Sequence, residues 1–357
     1  MRGPLFPIVG IVLAVAAAVA GGVTPAAAAS VPQTSNAAKA AAGWLAREFT
    51  DQQRVALTFE GLPGDFPDLT ARAVLDFDAA GVARDYARNA TAWLAGPTVL
   101  PGFLGDGVTT SSVMAHALIA IVAQAQGAHP ASFGGVNVLQ GLRALRTPSG
   151  EFQDLPFVPG GDDVTSQAMA IIALDRAGGA PRDAVAFLAG AQCPDGGFPA
   201  SFEPGSPGVC RSDVLATPYV VQALLAVGHH RAVVGRALDW LQSQQHADGA
   251  FGVMGEDSLT TGTVAVALRV GGRPLPAHRA VAFLRTLQAG CASVPADRGA
   301  VAGAAAGRVV SGTTLDALTT IDANLAVIPA FAGVGLADVS ARGARPAAPQ
   351  LRCAPSP

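Results

Sequence analysis

Apolar and polar positions along this chain follow a two-part rhythm. Residues 231–244 carry Arg231, Arg236 and Asp239 among apolar neighbours at helical spacing, which predicts a helix with one wet face. Residues 212–228 carry charge only at their start and then none, which predicts a helix buried on most sides. Between such segments lies a turn marked by glycine, as in Asp195-Gly-Gly and Asp248-Gly, where glycine supplies a positive φ. The unit is therefore an outer amphipathic helix, a turn and an inner buried helix.

The unit repeats. Trp240-Leu leads through Ala247-Asp-Gly-Ala-Phe251 to Asp257-Ser-Leu-Thr, and Phe187-Leu leads through Pro194-Asp-Gly-Gly-Phe198 to Asp213-Val-Leu-Ala-Thr217. A third copy runs from Gly141-Leu142 through Phe152 to Asp163-Val-Thr165. Weaker copies start at Trp44, Trp93 and Phe283, so the anchors at 44, 93, 141, 187, 240 and 283 lie 43 to 53 residues apart. Six units of this kind fill the chain from residue 30 to 340 and predict an all-α domain of twelve helices in inner and outer layers. No polar terminal cap is evident, as an open array would need, so the layers are expected to close into an (α/α)6 toroid of six helix pairs.

The flanks read differently. Residues 1–29 have the layout of a secretory signal peptide: Arg2, an apolar core from Ile8 to Ala20, then Ala27-Ala28-Ala29 as a small-residue cleavage site. That core is shorter than the roughly 20 residues that span a bilayer, and no later stretch reaches that length. A secreted, extracytoplasmic chain is expected, with a Pro/Ala-rich tail over residues 341–357. Four cysteines, Cys193, Cys210, Cys291 and Cys353, suit an oxidising compartment and two disulfides, with three pairings open. The net charge of -3 leaves no basic face for nucleic acid. Cys and His do not cluster at ligand spacing, so no metal and no cofactor are expected.

The run from aromatic-Leu through Gln to Asp-Gly-Gly/Ala-Phe, best seen in 192–198 and 245–251, resembles the terpenoid cyclase and protein prenyltransferase superfamily. These segments are similar to that family's QW-type repeat, with Phe where Trp is frequent. The resemblance covers the chain beyond residue 30 and implies an α/α toroid with a central cavity. The inner segments at Asp163 and at Leu215-Ala-Thr-Pro are also similar to the helical domain of secreted cobalamin carriers. The family's chemistry does not carry over. Against the Asp-x-Asp-Asp acid motif of squalene-type cyclases, Asp76-Phe-Asp78-Ala lacks the third carboxylate, and Asp162-Asp163 is only a dyad. The prenyltransferase zinc set is not reproduced, and cavity aromatics are scarce.

The expectation is therefore a protein without its superfamily's catalytic motifs that binds an apolar or amphipathic small molecule in the central cavity. A divergent cyclase or prenyltransferase-like enzyme is the alternative, followed by a cobalamin-type carrier or a cell-surface interaction module. Candidate ligand contacts are His116, Asp163, Thr165, Asp213, Thr217, Tyr219, Asp257 and Thr261, all on or beside inner helices. The aspartates have a second role open to them, because a carboxylate before a helix caps its free N–H groups.

Overall fold

The computed structural model describes residues 31–59, 61–156, 163–202, 210–252, 257–303 and 315–354. The expected signal peptide and Asp162 lie outside them.

Six inner helices stand next to one another in sequence order: α2 (Pro67–Ala80), α5 (Val113–Ala125), α7 (Val164–Arg176), α9 (Ala216–Ala226), α11 (Ser258–Val270) and α13 (Ala317–Ala332). α13 packs back on α2, which closes the ring. Outside them lie α1 (Ala37–Arg47), α3 (Arg84–Leu94), α6 (Val138–Ala144), α8 (Arg182–Gly190), α10 (Arg231–Ser243) and α12 (Pro274–Thr286), with a short α4 (Val99–Leu104) after α3. The chain thus folds as the α/α toroid that its repeats predict.

The inner helices owe their place to composition. Within α5 the run from Ala115 to Ala123 is buried throughout, and α7 is buried from Gln167 to Leu174. One side of each packs on the outer layer and the other on the ring, so both helices are buried on most sides. Outer helices bury only one face: α10 buries Val234, Ala237, Leu238 and Leu241.

The glutamine of each QW-type segment joins neighbouring units. Gln245 Nε2 donates to Gly249 O in its own turn and to Pro276 O on the next outer helix, both at 2.9 Å. Gln192 does the same to Gly196 O and Val233 O, at 2.8 Å each. Gln288 donates to Gly299 O and to Ala37 O, so the last unit holds the first. The turn glycine is required here. Gly249 has φ +97°, and a Cβ placed on it would lie 2.6 Å from Arg279 O of α12.

The junction of first and last units has further fastenings. β1 (Gln33–Thr34) pairs in parallel with β5 (Gln350–Leu351), and a separate antiparallel sheet is formed by β2 (Phe49–Thr50), β3 (Arg54–Phe59) and β4 (Leu62–Asp65). Cys291 and Cys353 form one disulfide with Cα atoms 5.6 Å apart, and Cys193 and Cys210 form the other at 5.4 Å. Residues past 340 run along the body: Ala341 N–H donates to Ala125 O and Arg345 N–H to Gly81 O. Among the described residues no helix is long and apolar enough to cross a membrane.

Candidate functional site

The inner ring encloses a cavity of about 430 Å³, inside the roughly 300–1,000 Å³ range of small-molecule sites. Each inner helix turns one stripe of side chains toward it. α2 contributes Asp68, Arg72, Leu75, Asp76 and Ala79, the helical i, i+4, i+7, i+8, i+11 pattern. α5 contributes Met114 and Leu118, α7 contributes Thr165 and Met169, and α9 contributes Tyr219 and Gln222. α11 adds Leu259, Thr263 and Val266, and α13 adds Asp322, Leu325, Ala326 and Pro329. Residues after α13 close the far end with Val334, Gly335, Leu336 and Val339. That segment is held firmly. Gln222 Oε1 accepts from Leu336 N–H at 3.0 Å, and Arg176 donates to Leu336 O, Ala337 O and Val339 O at 2.6 to 3.0 Å.

Most of the wall is apolar, and its charges gather on α2 and its neighbour α13. Arg72 Nη1 lies 3.4 Å from Asp322 Oδ1, an ion pair across the junction of first and last inner helices. The two side chains keep 30% and 41% of their accessible surface, a measure of how far they face open space rather than packed core. Burial acts to lower the Arg72 pKa, but Tyr219, Asp322, Asp76 and Asp68 outweigh it, so it is held above its ordinary value. Asp76 is 2% exposed, and its Oδ2 has no hydrogen-bond partner. Burial pushes its pKa well above the usual carboxylate range, with Arg72 opposing and Asp78 reinforcing. Burial thus favours the protonated carboxyl, a form able both to donate and to accept.

The sequence-predicted residues separate into two groups. Thr165 and Tyr219 stand on the cavity wall. The other six make local bonds and are not among its lining residues. Asp163 and Asp257 are N-caps: Asp163 accepts from Ser166 N–H, and Asp257 accepts from Thr260 N–H and from its hydroxyl. Asp213 accepts from Leu215 N–H at 2.8 Å and Ala216 N–H at 2.7 Å.

Thr217 and Thr261 serve a different purpose, shared across the repeats. Each stands four residues after its aspartate and accepts the backbone N–H of the preceding turn residue, Phe198 or Phe251, at 2.9 Å. Thr70 does this for Val55, and Gln167 for Phe152. His116 occupies the matching place in α5, four residues after the cap Ser112. Its Nδ1–H donates to Ser112 O at 2.8 Å, and its ring packs against Gly141 of α6. Burial lowers its pKa despite that bond and nearby Asp154, which favours neutral imidazole.

Sequence reasoning did not single out Arg72, Asp76 and Asp322 as one group. The available signal was the oddity of charges inside helices otherwise apolar on all sides. Among the described residues no cluster of three or more His, Cys, Asp or Glu has the arrangement to hold a metal ion.

No family model matches the chain. A drimenyl diphosphate synthase from Streptantibioticus cattleyicolor is 31% identical over 207 residues, which are 53% of this chain and 36% of that enzyme. The chain thus spans little more than a third of the length of that relative. The type II terpene cyclase MstE from Scytonema has a solved structure with TM-score 0.60 and 14% identity over 84% of this chain and 96% of that one. An α-1,6-mannanase from Salegentibacter, solved as an inactive variant with α-1,6-mannotriose, gives TM-score 0.59 at 11% identity, covering 83% and 98%. The fold is thus the toroid of terpene cyclases, and a mannanase shares it, so fold alone leaves the chemistry open.

Proposed function

Starting from the α/α-toroid fold of the terpenoid cyclases, we propose that this chain binds an apolar or amphipathic small molecule of isoprenoid character in its central cavity. The observation that carries the reading is the wall itself: an apolar enclosure of ligand size with its charges confined to one seam. Burying a chain of apolar groups there is favourable by about 25 cal/mol per Å², and the seam gives one end of the ligand hydrogen-bonding partners. The signal-peptide layout and the two disulfides support a place outside the cytoplasm.

A second reading, a divergent terpenoid cyclase, is favoured by Asp76. A buried carboxyl whose pKa is raised, in an apolar cavity, suits the proton donor that acid-initiated cyclisation needs. Against it stands the scarcity of aromatic faces. Tyr219 is the one aromatic residue among the described residues lining the cavity, and ring faces are what stabilise a carbocation at such a site.

Native mass spectrometry on the exported protein, followed by solvent extraction, separates the readings. A discrete apolar adduct supports ligand binding, and incubation with polyprenyl substrates then tests turnover. Cyclised product from the parent, abolished in Asp76→Asn, would establish the cyclase. Protein without an adduct, and without affinity for added isoprenoids, would overturn both.

A further inference from the structure

The charge census of the cavity restricts the head group of the ligand, a step that rests on the binding reading above. Arg72 is the one cation among the described lining residues, and it is already opposed by Asp322 at 3.4 Å. Three carboxyl groups, on Asp68, Asp76 and Asp322, share the wall with it. Even with Asp76 protonated, the formal charge of the lining is negative. A diphosphate brings at least two further negative charges, and its desolvation needs several cations or donors. Arg72 would offer it one cation, already shared with Asp322 and set among the wall's other carboxyl groups. A neutral hydroxyl meets no such barrier.

One polar atom on this wall also lacks a partner. Asp76 Oδ2 is buried without a hydrogen bond, an unfavourable condition that a ligand donor would relieve. A hydroxyl, donor and acceptor at once, complements a carboxyl group in either sense.

We infer that the cavity takes an isoprenoid whose polar end is a neutral hydroxyl hydrogen-bonded by Asp76, and that it discriminates against the corresponding diphosphate. Asp76 lies eight residues beyond Asp68 on α2, about 12 Å along the helix axis. The hydroxyl thus sits deep between α2 and α13, and the apolar chain extends along Leu118, Met169 and Val266.

The test compares farnesol, farnesyl diphosphate and the hydrocarbon farnesene by calorimetric titration of the full exported protein, with and without magnesium. Farnesol should bind at least about tenfold more tightly than the diphosphate and several-fold more tightly than farnesene. Asp76→Leu, which keeps the branched outline without the polar atoms, should erase the preference for farnesol over farnesene while farnesene still binds. If Asp76→Leu fails to fold, Asp76→Asn retains the shape and one acceptor and should narrow the preference. Equal or tighter binding of the diphosphate overturns the head-group assignment and leaves the binding reading intact. An unchanged preference for farnesol in a folded Asp76 variant also overturns the assignment. If none of the three binds, both fall.

Discussion

Asp78 gives the sharpest test of how this ring balances burial against charge. It lies near the end of α2, is 5% exposed, and its two oxygens accept from Gln126 Nε2 at 2.8 and 2.7 Å. Burial raises its pKa from 3.8 to about 7, although the Gln126 bond and the Arg176 charge both oppose the shift. The sign follows from linkage. The unfolded chain releases this proton near pH 4, whereas the folded chain keeps it to about pH 7, so folding takes up a proton between those values. The contribution to stability is fully present below about pH 4 and is lost as pH rises to about 7. A shift of about three units corresponds to about 4 kcal/mol at 1.36 kcal/mol per unit. Asp78→Asn removes the titration and keeps an acceptor for Gln126. Urea unfolding of parent and variant from about pH 4 to about pH 8 reads the difference, in which groups that do not interact with Asp78 cancel. Relative to Asp78→Asn, the parent should lose about 4 kcal/mol across this window and then level off. A difference that stays flat, or one in which the parent gains with pH, would refute the argument that Asp78 is buried neutral.

Two further substitutions probe the repeat. Gly249→Ala forces a Cβ to within 2.6 Å of Arg279 O at φ +97° and should cost roughly 2 kcal/mol or more in urea unfolding; undiminished stability would show that the turn is not wedged against α12. Thr261→Val leaves the buried Phe251 N–H without its acceptor and should cost about 1–3 kcal/mol, which Thr261→Ser largely restores. Farnesol affinity of folded Thr261→Val should equal the parent's, and a large loss would place Thr261 on the cavity wall.

The residues show where sequence reading stops. Capping by Asp163 and Asp257 is legible because the N–H groups that a cap satisfies lie within three residues of it. The turn glycines are legible for the same local reason. The cavity face is not. An inner helix such as α9 is buried on nearly all sides, so periodicity does not tell the face toward the outer layer from the face toward the cavity. Thr217 and Tyr219 are two residues apart, and only packing sends one to the Phe198 N–H and the other to the cavity.

The sequence by itself determined the architecture: six copies of a helix pair, with turn glycines between helices and aspartate caps that mark the starts of α7 and α11. The tertiary structure decided the site. Arg72 and Asp322 are 250 residues apart and meet only because the last inner helix packs against the first. Closure also buries Asp76 away from water, and it is that burial, a property of the whole ring, that raises its pKa above the usual carboxylate range.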